Sequence, residues 1–487
     1  MKKQSVIGNS IAMFVGTCFN ILISVITTPI ITRLVDPSDY GQWSLFTTYT
    51  NVAMAVVMLG LDQSFVRFYY KDERIEYKRY LTYTVVKIPI IVAMLAIFLS
   101  LGFVKKIELF ERNSWDIYLL LYANVIVSIV NRIGQLVLRM EQKGKEYSFL
   151  IVFNKIVYLL ILFALLFETH FQDLLVLTIA TVGAQTIISL ASILLGKSEW
   201  KIFAPKPSGI DVKTKDLIKY GLPFIYATLA GDIFNAADRW VIKALKTYTD
   251  VGIYSAAANI VSICAIVQTT FSLLWAPIAM EQYEKDPEDK RFYIQANGCI
   301  TVAMFMLGAV VICFKNVIVL LLGENYRLAV TVVPFLLFNP IMTTISETTV
   351  YGINFKNKTW AHIIITSISA LTNVALNMWL IPLYSSEGAA FATAISYVLF
   401  FCLRTALSRK YYFIKFPLFR FFIITIVFFV YAAINTFTTV TLFANCMYLI
   451  GFTAILGCLY KDYFSLLLKI LKQELMRYFH IILGNRR

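Results

Sequence analysis

A chain of 487 residues that is 59% hydrophobic and only 15% charged falls outside the soluble class, where about one quarter of residues are charged. Its net charge of +15 comes without any nucleic-acid motif, so nucleic-acid binding is set aside and the charges are read as membrane orientation. The seven cysteines and three histidines are dispersed with no metal-ligand spacing, which points to no metal and no cofactor.

Apolar runs of about 20 residues recur along the chain, the length a helix needs to cross the hydrocarbon layer. Lipid offers the backbone no hydrogen-bond partners, so these runs must be helices, and the fold class is an all-α polytopic membrane protein. The first run continues past Met1-Lys2-Lys3 to Ile31 without a small-residue cleavage site, and reads as a retained span rather than a signal peptide. Fourteen spans are expected, at 5–32, 40–61, 81–104, 115–138, 148–168, 173–196, 217–245, 250–278, 293–314, 328–354, 359–381, 387–408, 417–436 and 439–460.

In chain order, span one carries Asn9, Gly16, Asn20 and Thr27 on one face. Spans three, four and five carry Lys87, Arg132 and Lys155, each about 9–11 Å from one membrane surface if helices rise 1.5 Å per residue. Cations at that depth either line a hydrated cavity or snorkel to the interface. The polar stretch "GKSEWKIFAPKPSGIDVKTKD" (196–216) follows span six and is the natural linker. Span seven holds Asp232, Asp238 and Arg239, and the last two point about 100° apart on a helix, so they do not pair with each other. Their alternatives are substrate contact, ion coupling or an interhelical lock. Glu347 in span ten is the remaining embedded acid and a second coupling candidate. His362, Thr366, Ser369, Asn373 and Asn377 stripe span eleven, apt for sugar or for ordinary helix packing. Spans thirteen and fourteen carry no charge, and the 461–487 tail mixes leucines, aromatics and basic residues as an interfacial helix would.

The loops beginning at Arg67, Arg139, Lys197, Lys285, Lys356 and Arg404 hold most of the basic residues, and they alternate with loops that are poor in them. This alternation predicts that both termini are cytoplasmic. "DYGQWS" (39–44) and "DVGIYS" (250–255) open spans two and eight at an offset of 211, which also aligns Ser44, Thr48 and Asn51 with Ser255, Asn259 and Ser262. The repeat predicts two parallel six-helix lobes, 1–196 and 217–408, joined by the 197–216 linker and followed by helices over 417–460.

The stretches "TTPIITRLVDPSDYGQWSLF" (27–46) and "ADRWVIKALKTYTDVGIYSAA" (237–257) resemble the polysaccharide-transporter family, the Wzx-type flippases of the multidrug/oligosaccharidyl-lipid/polysaccharide (MOP) superfamily. Asp36 departs from the Gly or Ser often found there before Pro37. The resemblance implies a MATE-like fold in the bacterial inner membrane. It also implies alternating-access movement of undecaprenyl-diphosphate-linked oligosaccharide to the outer leaflet, for O-antigen, capsule or exopolysaccharide. Coupling to protons or sodium and work beside a polymerase and chain-length machinery belong to the same expectation. On that reading Lys87, Arg132, Lys155, Arg239, Asn20, Asn259 and Asn373 bind diphosphate or sugar, while Asp232, Asp238 and Glu347 couple ions or hold structure. Two alternatives stand: a multidrug exporter of the superfamily, typically with twelve spans and cationic substrates, and a polysaccharide polymerase, which needs a large catalytic outer loop. A flippase breaks no bond, so the chain is expected not to be an enzyme.

Overall fold

A computed structural model describes residues 3–102, 108–111, 114–168, 173–201, 203–209 and 212–466, and among these no strand occurs. Eleven helices are long and apolar enough to cross a membrane, or twelve if the bent pair Pro37–Val57 and Leu61–Lys71 is one span. All fourteen expected spans fall on described helices. The two tallies differ for physical reasons. The helix over Thr214–Leu245, the seventh expected span, is less apolar than its neighbours, and a 52-residue helical segment contains two expected spans. The interfacial helix expected in the tail lies outside the described residues beyond 466, as do Lys105, Lys106 and Arg112.

The chain folds into two compact units. The first comprises residues up to Asn259 together with Leu322–Tyr326. It contains α1 (Lys3–Leu34), α2 (Pro37–Val57), α3 (Leu61–Phe68), α4 (Ile75–Leu101), α5 (Trp115–Met140), α6 (Gly144–Glu168), α7 (Asp173–Leu195), α8 (Thr214–Leu245) and most of α9 (Tyr248–Val261). Compactness and internal repetition are different properties, so this division leaves the expected lobe boundary at 197–216 as an expectation.

Helix α2 starts where it does because Pro37 fixes the first helical φ and has no N–H to leave unpaired. It ends at Leu59 and Gly60, both left-handed at φ 50° and 65°, and the following helix turns away by 56°. Gly60 meets two requirements at once: a positive φ, and a backbone so close to Gly221 of α8 that a Cβ would strike the Gly221 carbonyl. Small residues set the other helix contacts. α1 lies along α6 with Gly16 against Ser148, and α5 lies along α7 with Gly134 against Ser192.

The second unit comprises Ile260–Leu321 and the residues from Arg327 onward. Its helices are α10 (Cys264–Lys285), α11 (Lys290–Val319), α12 (Ala329–Leu336), α13 (Phe338–Thr349), α14 (Tyr351–Phe355), α15 (Trp360–Tyr411), α16 (Leu418–Phe437) and α17 (Leu442–Leu459). Ser385 breaks α15 into two spans with φ 49° and ψ −128°. Lipid tails are as apolar as leucine, so packing geometry rather than water exclusion holds such helices together. Here Phe428 meets Phe338 and Phe305 at 5.2 and 5.3 Å between ring centroids, and Phe452 closes on Phe428 at 5.7 Å.

Two cations expected in loops are instead buried in helices of this unit. Lys315, in the last two turns of α11, donates to the Asn435 carbonyl near the end of α16. A cation there complements the negative helix terminus. Arg404, in α15, pairs with Glu347 of α13 at 2.9 Å and also donates to Ser346 at 2.6 Å. The expected span 293–314 ends one residue short of Lys315, whereas Arg404, grouped with a basic loop, falls inside the expected span 387–408.

Candidate functional site

Helix α2 organises the first unit at three levels. Near its start, Gly41 abuts the Tyr248 carbonyl and Gly252 abuts the Pro37 carbonyl, so a Cβ on either glycine would collide with the facing backbone. One turn on, the Ser44 and Ser255 hydroxyls hydrogen-bond at 2.8 Å. Gly41 with Gly252 and Ser44 with Ser255 are equivalent positions of the 211-residue repeat, so the repeated motif meets its own copy. At the far end of α2, Gly60 packs on Gly221 and the Ser64 hydroxyl donates to the Leu217 carbonyl at 2.7 Å. Two cavities lie between these contacts, one beyond the other along α2, and Gln185 of α7 borders both.

The first cavity, about 280 Å³, is lined by Lys155 of α6 together with Asn154, Tyr158, Thr27, Thr28 and Asn259, and by Tyr40 and Trp43 of α2. None of its lining residues is acidic. Tyr158 stacks on Trp43 at 6.0 Å, and its buried hydroxyl has no hydrogen-bond partner among the described residues. The Asn259 amide donates to the Tyr40 hydroxyl at 2.7 Å, and Asn154 donates to Gln185 at 3.2 Å. A lysine with no carboxylate in its chamber, surrounded by amides and hydroxyls, is arranged to receive an anion that also carries polar groups.

The second cavity, about 310 Å³, is lined by Arg132, Asn131 and Gln135 of α5, by Asn51 and Asp62, and by Asp232 of α8. Here the cation is already matched: Arg132 binds Asp62 at 2.7 Å across helices, with half of the arginine side chain exposed. The Asp62 carboxylate also accepts from the Gln63 backbone N–H at 2.9 Å. Asp232 faces the same space, so this chamber contains two carboxylates and one guanidinium.

Lys87, Arg132 and Lys155 were expected at one level of one lobe. The helices begin and end beyond the expected bounds, and the three residues lie ~18, 12 and 16 Å along α4, α5 and α6 from the nearer helix end, at 1.5 Å per residue. Arg132 and Lys155 line separate cavities that share Gln185, and Lys87 lines neither. Lys87 is exposed, with its ammonium 5.3 Å from the Tyr83 ring, and shares a face with exposed Ile91, Met94, Leu95 and Phe98.

Asp238 and Arg239 have separate partners, as their angular offset required. The Tyr254 hydroxyl donates to Asp238, while Arg239 donates to Ser255 at 3.2 Å and to the Asn235 carbonyl at 3.3 Å. Arg239 thus joins the Ser44–Ser255 contact, and Asp232, two turns away, lines the Arg132 cavity. Asn20 lies half-buried on α1, where its carbonyl accepts from Ser24, and is absent from the lining of both cavities. In the second unit, Asn373 is fully buried, accepts from Asn377 at 3.0 Å and donates to Thr393 at 3.4 Å; Glu347 is held by Arg404.

Several lining residues escaped sequence reasoning. Asp62 is separated from Arg132 by 70 residues, and no local pattern links them. Tyr40 and Trp43 were visible inside "DYGQWS" but were read only as part of the repeat. Tyr158 follows Lys155 by three positions, a helical neighbour that spacing could have exposed.

The fold is similar to that of several solved membrane transporters. A lipid II flippase MurJ in an inward closed conformation superposes with a TM-score of 0.68 at 15% identity, covering 95% of this chain and 99% of that one. An inward-facing MATE multidrug resistance transporter gives 0.58 at 13% identity, with coverage of 84% and 98%. A mutant form of the Vibrio cholerae MATE transporter VcmN gives 0.53 at 11%, with coverage of 84% and 96%. A comparison with curated protein sequences found no match. The family model described as "Polysaccharide biosynthesis protein" matches residues 6–278, more than half of the chain, and the protein belongs to that family.

Proposed function

We propose that this protein is a flippase that carries oligosaccharide linked to undecaprenyl diphosphate from the cytoplasmic to the outer leaflet of the bacterial inner membrane. It serves surface-polysaccharide synthesis (O-antigen, capsule or exopolysaccharide) beside a polymerase and chain-length machinery, with both of its own termini cytoplasmic. Two six-helix lobes alternate in access, coupled to a proton or sodium gradient. Diphosphate and sugar hydroxyls lose their hydration in hydrocarbon at great cost, so a carrier must supply polar partners inside the membrane while the lipid tail stays outside.

The observation that carries this reading is the acid-free Lys155 cavity, with its amides, hydroxyls and aromatic rings. The family's place in polysaccharide biosynthesis and the fold shared with a lipid II flippase support it. A multidrug-exporter reading draws on Asp62 and Asp232 in the second cavity, but the guanidinium of Arg132 already occupies Asp62. Reconstitution into vesicles tests the two. A polyprenyl-diphosphate trisaccharide should cross in a protein-dependent way, and collapsing the proton or sodium gradient should slow it. Movement of cationic dyes without movement of the glycolipid would replace the flippase with an exporter.

A further inference from the structure

The geometry points to the Arg132 cavity as a saccharide subsite that accepts uncharged sugars and disfavours uronates, adjoining the Lys155 cavity through Gln185. This inference rests on the flippase reading and specifies its substrate.

The two chambers differ in formal charge. The Lys155 cavity contains one cation and no acid, whereas the Arg132 cavity contains Arg132, Asp62 and Asp232 and is net negative. Within the latter the groups are not equivalent. Asp62 is mostly buried and takes the Arg132 guanidinium and both the backbone and side-chain N–H groups of Gln63. Its acceptor capacity is largely used. Asp232 lies on helix α8 and lines the same space, with no ion pair to it among the described residues.

Arg132 commits one terminal nitrogen to Asp62 and is half exposed, which leaves other donors to the cavity. Asn131 accepts from Gln135 at 3.1 Å, so the Asn131 amide N–H groups and the Gln135 oxygen face outward from that pair. Interleaved donors and acceptors match hydroxyl groups, each of which both donates and accepts. No aromatic ring lines this cavity, in contrast to its neighbour.

A diphosphate in the net-negative cavity would meet two carboxylates, whereas in the neighbouring one it meets Lys155 alone. The lipid-proximal anion therefore belongs at Lys155 and the glycan at Arg132. Gln185 sits where the two moieties join: its oxygen is held by Asn154, which orients its amide nitrogen as a donor. A sugar carboxylate would face Asp232 at close range. One unit charge at ~8 Å and an effective dielectric of 20 corresponds to roughly thirtyfold. Repulsion of the wrong partner is an ordinary route to specificity.

The test uses the full-length protein in vesicles and two synthetic polyprenyl-diphosphate disaccharides that differ only by a hexose or a hexuronate. The neutral compound should cross at least about tenfold faster. Asp232→Asn should move the acidic-to-neutral rate ratio toward one. Thr228→Lys, which adds a cation to the same lining, should do so independently if Asp232→Asn disrupts folding. Equal wild-type rates for both compounds, or a ratio unmoved in both variants, overturns the subsite while the flippase reading stands. Movement of neither compound overturns the flippase reading and the subsite with it.

Discussion

Among the described residues, each unit contains one interhelical arginine–carboxylate pair, and the two pairs differ in their access to solvent. In the second unit, Arg404 is 10% exposed, with Ser346 on one side and the Phe400 ring 5.1 Å from its guanidinium carbon. In the first, Arg132 is 50% exposed and opens onto a cavity. The same chemistry therefore serves two ends: a dry pair fixes α13 against α15, and a wet pair leaves a guanidinium available to a ligand. Embedded charge alone does not mark a transport site; the space around it does.

The comparison can be broken most forcefully at the dry pair. Arg404→Ala leaves Glu347 without its partner and should cost about 3–5 kcal/mol. Thermal unfolding in detergent should record this, with much of it recovered in the Glu347→Gln/Arg404→Met double variant. A single variant as stable as wild type would remove the lock.

Glu199, in the connection between α7 and α8, offers a second and smaller test outside the spans. Burial is the largest cause raising its carboxyl from 4.5 to about 7; the Tyr69 hydroxyl, which donates to it, opposes the shift. Because the folded value lies above the unfolded one, its favourable contribution is complete below about 4.5 and is lost as pH rises through about 7. Stability should fall by on the order of 2 kcal/mol between about pH 5 and pH 8, and Glu199→Gln should flatten that slope. An unchanged slope in the variant would assign the pH dependence elsewhere.

The smallest stability effect is expected at the wet pair. Arg132→Ala should alter unfolding by less than about 1 kcal/mol, because water already screens the pair, yet it should slow glycolipid flipping. Loss of stability comparable with Arg404→Ala would erase the distinction between the two units.

Much of the fold was legible in the sequence, because span length and backbone hydrogen bonding leave few alternatives in lipid. Ser44 and Ser255, aligned by the 211-residue offset, touch directly. Asp238 and Arg239 could be separated in advance because helical angle is a local property. Partnerships between distant segments were not legible. Nothing near Arg132 names Asp62, and nothing near Lys155 says that its chamber lacks an acid while Lys87 faces outward. Lys315 fell in a loop because the expected span stopped one residue before it.

The central claim is that Lys155 is the cation that receives the diphosphate. Equilibrium binding of a polyprenyl-diphosphate glycan to purified wild type, Lys155→Met and Lys155→Arg tests it most directly. Affinity should fall about ten- to a hundredfold in Lys155→Met, as expected for one lost charge-assisted hydrogen bond, and recover in part in Lys155→Arg, with unfolding unchanged in both. Wild-type affinity in a folded Lys155→Met protein would contradict it.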